Sequence, residues 1–585
     1  MYILYKMLIS FVKKNFFLLL SSLILIQLKL VHAQNRPDAG SILKNLENNN
    51  NITVPKQNLP EVKEKQKEII VPKAQPVETF IIKKFIFEGN TLVSDEELNL
   101  IFKDLLNRKI AIDELKSAID EIAILYDRKG YLGFGRLQSQ EIKQENLKIL
   151  IVEGLFGGVK FDEANSKDLN VSPDIIKKII ESRNPAGKPL NVKKLDESVL
   201  ISGDLSGVLV NQSLRPGEKP GETDTYVRIV NQPRYFVLAS IDNYGSNTTG
   251  YERKIFNGTF LSPTKIGDRL DTSYLNSDGT DYGSLSYNIP INDLGTKLGV
   301  NGSLMTYKVT AGESVSLNLT GDTQSFGLNL SHPFYRSRTY NLSGVTSAEK
   351  KNFQNKSSSV VQSKYNTTTI GIGSNFDLVT NYLYGGQLFT GINYNLVNNN
   401  YDDSPQTFRQ NKIYEKTDGY SNKLSTNLNY NQFISENFTG IIKFTGQLSN
   451  RNLDSSQKIY LGGAEGVRAY PSSEGSGSNG YILNVDLKAP VVESIKFKVF
   501  YDYATAQQYV QNVNTNTGAS ISGTKPNIFS LQGYGVGFDG NFYGVEFNLF
   551  AAKRINNNPL RNANDTDSNG APSRTNLWGK LSYIF

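Results

Sequence analysis

The sequence predicts an all-β transmembrane barrel of about 16 antiparallel strands, preceded by two small α+β domains. First, beyond the N-terminus no apolar run approaches the roughly 18 residues of a membrane-spanning helix, so any further span must be made of strands. Second, short alternating strands separated by Gly, Asn, Asp and Ser fill residues 233–585. Third, only 38% of residues are hydrophobic, yet 31 Tyr, 30 Phe and 49 Gly suit strands and turns.

The N-terminus predicts a secretory signal peptide over residues 1–33. Lys13 and Lys14 precede the apolar run 16–26, and small residues near Ala33 offer a cleavage site. A permanent membrane anchor is the alternative, but the run is shorter than the roughly 20 residues that a spanning helix needs. Cleavage removes four lysines and lowers the formal charge from +7 to +3, so bulk charge does not indicate a nucleic-acid partner.

Residues 34–79 are polar, Asn-rich and punctuated by proline, which predicts a linker. Near its start, Ile42, Leu43 and Leu46 lie on one face of a short amphipathic helix that Ser41 could cap. Such a helix is marginally stable when isolated.

Two α+β units follow, over residues 80–154 and 155–232, each in the order β-α-α-β-β. In the first, a β-prone run at 80–87 precedes a capping box formed by Ser94 and Glu97. The second repeats the order less clearly. Taken alone, these units could also be generic α/β domains with no shared purpose.

The alternation in residues 233–585 fits either a soluble sandwich or a membrane barrel. The end of the chain favours the barrel, because Leu577, Leu581, Tyr583 and the terminal Phe585 share one face of a closing strand. At roughly 22 residues per strand and turn, this segment accommodates about 16 strands.

Composition argues against most catalytic chemistry. The chain has no cysteine, and its two histidines are His32, in the signal segment, and His332, expected in a turn beside Pro333. No phosphate-binding loop motif, histidine pair at metal spacing or Ser-His-Asp set can be assembled. We therefore predict no enzyme, no catalytic residues, no metal and no cofactor.

The strongest candidate site is the Gly-rich stretch 462–471, which contains Arg468. Downstream, alternation turns Phe500 and Asp502 toward the barrel lumen while Tyr501 faces lipid. An arginine in such a loop is most often a solvated surface charge. If the loop folds back into the pore, however, Arg468 can pair with Asp502, and we predict this contact.

Val467-Arg468-Ala469-Tyr470 resembles the signature loop of the outer-membrane assembly and translocation superfamily, whose members join POTRA domains to a 16-stranded barrel. The Ala-Tyr-Pro version resembles the two-partner secretion transporters of the haemolysin secretion/activation type. Phe500-Tyr501-Asp502 resembles the partner motif of that loop, and Pro37-Asp38-Ala39-Gly40 the start of the family's plug helix. Ala504 stands where the family usually has Gly, and Ser206 where Pro is common.

The resemblance implies an outer-membrane pore of a Gram-negative bacterium, with periplasmic POTRA domains, that secretes one large, mostly β-helical exoprotein such as an adhesin or haemolysin. The partner would be unfolded in the periplasm, and export would not require nucleotide hydrolysis. Other expected partners are outer-membrane lipid and the barrel-assembly machinery that inserts the chain, and no nucleic acid. The alternative within the superfamily is a factor that assembles other outer-membrane proteins, although such factors usually carry more than two POTRA domains. A passive pore or nutrient receptor would leave the two α+β units unexplained.

Overall fold

The structure is a computed structural model that describes residues 37–49, 79–138, 145–162, 168–562, 565–570 and 573–585. The predicted signal peptide and most of the predicted linker lie outside these residues. Among the helices of the described residues, none is both long enough and apolar enough to cross a bilayer.

Five α-helices and eight strands precede the barrel in the part of the chain that the structure describes. They are α1 (Ala39–Asn49), β1 (Thr79–Ile81), β2 (Lys84–Glu88), α2 (Asp95–Phe102), β3 (Lys109–Ala111), α3 (Ile112–Arg128), β4 (Gly133–Leu137), β5 (Asn146–Glu153), β6 (Leu155–Phe161), α4 (Pro173–Arg183), α5 (Val192–Gly203), β7 (Val208–Pro216) and β8 (Glu222–Asn231).

The first α+β unit packs α2 and α3 against a three-stranded sheet in the order β2-β5-β4. Helix α2 begins at the predicted capping box, in which Ser94 and Glu97 each accept a hydrogen bond from the other's backbone N–H. The predicted strand at 80–87 is divided into two strands, β1 and β2. Between them Lys83 N–H donates to Glu145 O at 2.7 Å, at the point where the chain joins the main sheet. Strand β1 pairs instead with β3 in a separate ribbon.

The second unit repeats the order β-α-α-β-β around a sheet β6-β8-β7, without counterparts of β1 and β3 among its described residues. Hydrogen bonds join it directly to the first unit. Leu132 N–H donates to Leu190 O at 3.3 Å, and Leu190 N–H donates to Gly154 O at 2.8 Å. Backbone hydrogen bonds resist hinge motion because bending would leave their polar groups unpaired. The two units therefore form one continuous arm.

The C-terminal segment is a closed antiparallel barrel of 16 strands in the described residues, which confirms the predicted fold class. Its strands, with the two of a small inner ribbon (β20 and β21) and one helix, are β9 (Tyr235–Asp242), β10 (Arg253–Leu261), β11 (Arg269–Ser277), β12 (Thr280–Pro290), β13 (Lys297–Lys308), β14 (Leu319–Arg336), β15 (Tyr340–Ser357), β16 (Val360–Thr380), β17 (Gly386–Asn400), α6 (Gln406–Tyr414), β18 (Gly419–Phe433), β19 (Thr439–Ser449), β20 (Ile459–Tyr460), β21 (Ser476–Gly477), β22 (Asn479–Val492), β23 (Ile495–Gln507), β24 (Ile528–Phe542), β25 (Val545–Arg554) and β26 (Thr575–Ile584). Strand β26 pairs with β9 and closes the ring.

The two faces of the barrel wall differ as the alternation predicts. Along β26 and the residue after it, Leu577, Leu581, Tyr583 and Phe585 are all exposed on the outside. On β23, Asp502 is fully buried inside the barrel. An apolar exterior around a polar interior is the arrangement that lipid requires of a spanning sheet.

The second α+β unit is anchored to the turns at one end of the barrel, here called the proximal end. Ser206 N–H donates to Gly267 O at 3.0 Å, a bond that proline could not make. Arg336 Nε lies 2.8 Å from Asp204 Oδ2, and Arg338 Nη2 lies 2.8 Å from Asp196 Oδ1. These contacts fix the arm below the proximal mouth of the barrel.

His332 does not lie in a turn as expected. It is part of strand β14, where its Nδ1 lies 2.8 Å from Thr296 Oγ1. The adjacent Pro333 lies beside a register shift between β14 and β15. At such an irregularity the strand can contain a proline, which has no backbone N–H to donate to the neighbouring strand.

Candidate functional site

Residues 450–478, here called the pore loop, connect β19 to β22 and fold back into the barrel lumen. Strands β20 and β21 pair only with each other and give the loop a rigid base. Above them the chain turns sharply at Gly463, whose φ of +118° few other residues adopt. Val467 N–H then donates to Leu461 O at 2.7 Å, which directs the next residue toward the barrel wall.

The structure brings Arg468 and Asp502 together. Arg468 Nη2 lies 2.6 Å from Asp502 Oδ1, and both Nε and the backbone N–H of Arg468 donate to Asp502 Oδ2, at 3.0 and 2.9 Å. The guanidinium also lies 3.6 Å from the ring centroid of Phe500. Asn484 Nδ2 donates to Asp502 Oδ1 at 2.7 Å. Asp502 is thus held by hydrogen bonds on both oxygens.

Arg468 has a second carboxylate partner that sequence reasoning did not assign. Its Nη2 lies 2.6 Å from Asp486 Oδ1, on the neighbouring strand β22. Alternation places Asp486 on the lumenal face, but strand register alone does not reveal how deep the loop tip inserts. Burial disfavours the charged guanidinium, yet the bonds to Asp502 and Asp486 outweigh it and raise the pKa of Arg468 above its usual value.

The other three residues of the motif pack the loop tip against the wall. Val467, Ala469 and Tyr470 are all fully buried. Ala469 lies against Gly533, and a side chain on that glycine would collide with it. Arg554 lies 4.4 Å from the ring centroid of Tyr470 and donates from Nε to Ala469 O at 3.0 Å. Small size at both 469 and 533 lets the backbone approach the wall closely.

The last strand and the chain before it also hold the loop. Trp578, the single tryptophan of the chain, donates from Nε1 to Arg468 O at 2.7 Å. Glu474 accepts from Ser568 N–H at 2.9 Å and from Asn558 Nδ2 at 2.7 Å, and burial raises its pKa. The connection between β25 and β26 lies at the end of the barrel opposite the proximal end, here called the distal end. The pore loop is therefore hydrogen-bonded to this distal connection as well as to the wall.

Helix α1 lies in the lumen and carries the predicted plug residues. Leu43 and Leu46 are buried, and Ile42 is half-buried beside them. They pack against an aromatic layer in which Phe353 stacks on Tyr365 with ring centroids 4.8 Å apart. This apolar contact explains why an isolated, marginal helix is ordered here.

The helix begins one turn earlier than its apolar face indicates. Asp38, and not Ser41, is the N-cap: its Oδ1 accepts from Ser41 N–H at 2.8 Å. Ala39 N–H donates to Asn355 Oδ1 at 2.8 Å, near the distal end of β15. Burial and the nearby Asp454 carboxylate raise the pKa of Asp38. At the other end of the helix, Glu47 Oε1 lies 2.6 Å from Lys351 Nζ.

The described residues contain no group of three or more His, Cys, Asp or Glu side chains arranged to hold a metal ion. Several charged side chains of the lumen pair with one another, as Arg468 does with Asp502 and Asp486 and Lys351 does with Glu47. This arrangement fits mechanical anchoring of a loop and a helix inside a pore.

Comparison with known proteins identifies the family. Residues 221–535 match the haemolysin secretion/activation protein family ShlB/FhaC/HecB, and residues 80–154 match its ShlB-type POTRA domain. The chain belongs to this family. It is therefore an outer-membrane transporter of the two-partner secretion type, with its POTRA arm in the periplasm.

Individual relatives agree in length and fold. The heme/hemopexin transporter protein HuxB of Haemophilus influenzae (strain 86-028NP) is 26% identical over 486 residues, covering 80% of this chain and 82% of its own. The hemolysin transporter protein HpmB of Proteus mirabilis is 23% identical over 439 residues, covering 70% and 72%. The solved structure of CdiB from Escherichia coli superposes with a TM-score of 0.69 at 16% identity, covering 97% of this chain and 98% of that one.

Proposed function

We propose that this transporter exports one large partner exoprotein, unfolded in the periplasm, through its own barrel lumen after helix α1 has left. The observation that carries the proposal is the position of α1. The helix lies in the lumen, residues 50–78 separate it from β1, and apolar contacts of Leu43 and Leu46 hold it. A short helix on a polar tether can leave and return without unfolding the wall.

The pore loop has the opposite role in this proposal. Arg468 with Asp502 and Asp486 keeps the loop tip on the wall formed by β22 and β23, so that the lumen retains its shape when α1 leaves. Val467, Ala469 and Tyr470 support that anchorage by filling the space between loop and wall. Phe500 covers the guanidinium and excludes water from the pair.

The POTRA arm supplies the first contact with the partner. Each unit contains a three-stranded sheet with two edge strands, β2 and β4 in the first and β6 and β7 in the second. An extended client can add to such an edge through backbone hydrogen bonds, with little dependence on its side chains. Anchoring of the arm at Asp204 and Asp196 holds these edges beside the proximal mouth.

Transport is then driven by folding of the β-helical exoprotein outside the cell, without nucleotide hydrolysis and without an enzymatic step. The outward residues of the barrel contact outer-membrane lipid, and the barrel-assembly machinery inserts the chain. The family match does not favour the alternative assembly factor.

Co-expression tests the proposal. The gene beside this one should encode a large secreted protein with a repetitive β-helical sequence, and expressing both should place that protein in the medium or on the cell surface. Without the transporter it should remain in the periplasm. Equal secretion in cells that lack the transporter would overturn the proposed function.

A further inference from the structure

The lumenal wall opposite the pore loop carries an unusual set of asparagines. They face glycines on adjacent strands in the middle and proximal parts of β13 to β18, and we call them the asparagine band: Asn301, Asn329, Asn375, Asn393, Asn395 and Asn427. The sequence neighbours of Asn329, Asn393 and Asn395 are exposed on the outside of the barrel, so these amides point inward. These neighbours are Leu328, Leu330, Ile392 and Leu396.

The opposing glycines make room for these amides. Gly371 pairs with Asn395, and Gly391 pairs with both Asn375 and Asn427. A Cβ on Gly371 would lie 2.6 Å from Asn395 Oδ1, and one on Gly391 would lie 2.6 Å from Asn427 Oδ1. Neither glycine has a positive φ, so backbone conformation does not require it. Because the paired glycine has no side chain, each amide can lie against the barrel wall, and the lumen stays wide.

The amides of the band have no hydrogen-bond partner among the described residues. Lumenal asparagines on the pore-loop side differ, since Asn484 Nδ2 donates to Gly466 O at 2.8 Å and Asn548 Oδ1 accepts from Lys498. Three members, Asn301, Asn329 and Asn395, line a cavity of about 320 Å³ between the wall and helix α1. The band therefore faces open space with free donors and acceptors.

We propose that the asparagine band is the surface along which the unfolded client passes, as an extended polypeptide bonded through its backbone. This inference rests on the proposed function. A side-chain amide offers both a carbonyl acceptor and N–H donors, the same pair of groups that an extended peptide must satisfy at every residue. Uncharged amides form no ion pairs with client side chains, and single hydrogen bonds exchange readily with water, so the surface holds the chain without trapping it.

The position of α1 supports this occupant. Its C-terminal residues Lys44 and Glu47 form the other side of the same cavity, and the helix rests on β14 and β15 farther toward the distal end. When α1 leaves, the band becomes continuous with the wall that the helix covered. The opposite wall remains covered by the pore loop and its ion pairs, which leaves the client this side of the lumen.

The test uses the full-length transporter with α1 undocked by Leu43→Asp and Leu46→Asp, in a planar bilayer. The probe is a neutral 30-residue Gly-Ser-Asn peptide added on the periplasmic side, and the measurement is the duration of its current blocks. Asn329→Ala, Asn393→Ala and Asn395→Ala together should shorten these blocks roughly fivefold or more. The single change Asn395→Ala should shorten them measurably.

The matched control is Asn548→Ala, a lumenal asparagine at the same end of the barrel on the opposite wall, which should leave block duration unchanged. Each variant is first checked for the heat-modifiable gel migration of a folded barrel. Unchanged blocks in both folded band variants, or equal shortening in the control, would overturn the band. An undocked transporter that conducts no ions would contradict the export path itself, and the band with it.

Discussion

The pore loop and helix α1 occupy the same lumen but are held by different interactions. The loop is covalently continuous with the wall at both ends, and Arg468 joins it to two carboxylates on adjacent strands. Helix α1 is tethered at one end, and its main contacts are the buried Leu43 and Leu46. Burial of such a side chain contributes about 1.5–3 kcal/mol.

The pore loop and helix α1 also differ in which groups of the barrel wall would be exposed if each left its site. Removing the loop tip would expose Asp502 and Asp486 without a counter-ion, and breaking such a buried pair costs about 3–5 kcal/mol. Removing α1 exposes aromatic rings and a lysine to a lumen that water or client can fill. We therefore propose that the lumen contains one permanent element, the pore loop, and one removable element, helix α1.

Arg468→Ala should have the largest effect. It should abolish or sharply reduce secretion while leaving the barrel assembled, because the loop tip detaches from the wall. Export of the partner and heat-modifiable migration measure the two outcomes. Arg409→Ala, at a partly exposed ion pair with Asp402, is the matched control and should secrete normally. Normal secretion by Arg468→Ala would remove the anchoring role of this residue.

The two carboxylates should not be equivalent. Asp502→Asn should impair secretion more than Asp486→Asn, since Asp502 accepts from the backbone and side chain of Arg468 and from Asn484, whereas Asp486 is partly exposed. Exchanging the charges, with Arg468→Asp and Asp502→Arg together, should recover part of the loss of either single change. A double variant as defective as the sum of the two would contradict direct pairing.

Undocking of α1 should change conductance more than secretion. Leu43→Asp with Leu46→Asp removes about 3–6 kcal/mol of apolar burial, so the open state should dominate. Deleting Pro37 to Leu46 should raise conductance in the same way. Leu100→Asp, at a position 72% exposed on α2, is the control and should not alter the current. Unchanged conductance in the plug variants would argue against a plug.

Acid should strengthen docking of α1 slightly. Burial and then the Asp454 carboxylate raise the pKa of Asp38 in the docked state against the opposing charge of Lys412, so the docked helix holds a proton more tightly. This contribution is complete below the ordinary pKa of about 3.9 and is lost as pH rises through the docked value. Open probability should therefore fall as the pH is lowered from about 7 to about 5, and Asp38→Asn should flatten the dependence. A wild-type channel that opens more in acid would contradict this assignment.

Sequence reasoning reached the closed barrel because alternation and an aromatic C-terminus are local signals. It also placed Asp502 on the lumenal face, since strict alternation along β23 assigns each side chain to one side. Alternation along β22 assigned Asp486 to the lumenal face in the same way. Its ion pair with Arg468, however, depends on how far the 29-residue pore loop inserts into the lumen, which alternation does not predict. The hydrogen bonds of Glu474 and Trp578 join segments that are far apart in sequence and meet only when the barrel closes. No local sequence pattern predicts them.

Several details of the sequence interpretation failed for physical reasons. The run at 80–87 has uniform β propensity, and its division between two sheets depends on the pairing of β1 with β3 and of β2 with β5, which are distant in sequence. His332 was expected in a turn because of Pro333, yet a register shift accommodates the proline within a long strand. Asp38 caps α1 in place of Ser41, and both residue types cap helices well.

Two matched lysine–glutamate pairs allow the central claim to be tested in a chain without native cysteine. Glu47 and Lys351 join α1 to the wall, and Glu465 and Lys443 join the pore loop to the wall. Each pair is replaced by cysteines and bridged with a reducible bis-methanethiosulfonate. Bridging Glu47→Cys to Lys351→Cys should stop export until reductant is added, whereas bridging Glu465→Cys to Lys443→Cys should leave export intact. Export that continues with α1 bridged, or that stops with the loop bridged, would contradict the division into a removable helix and a permanent loop.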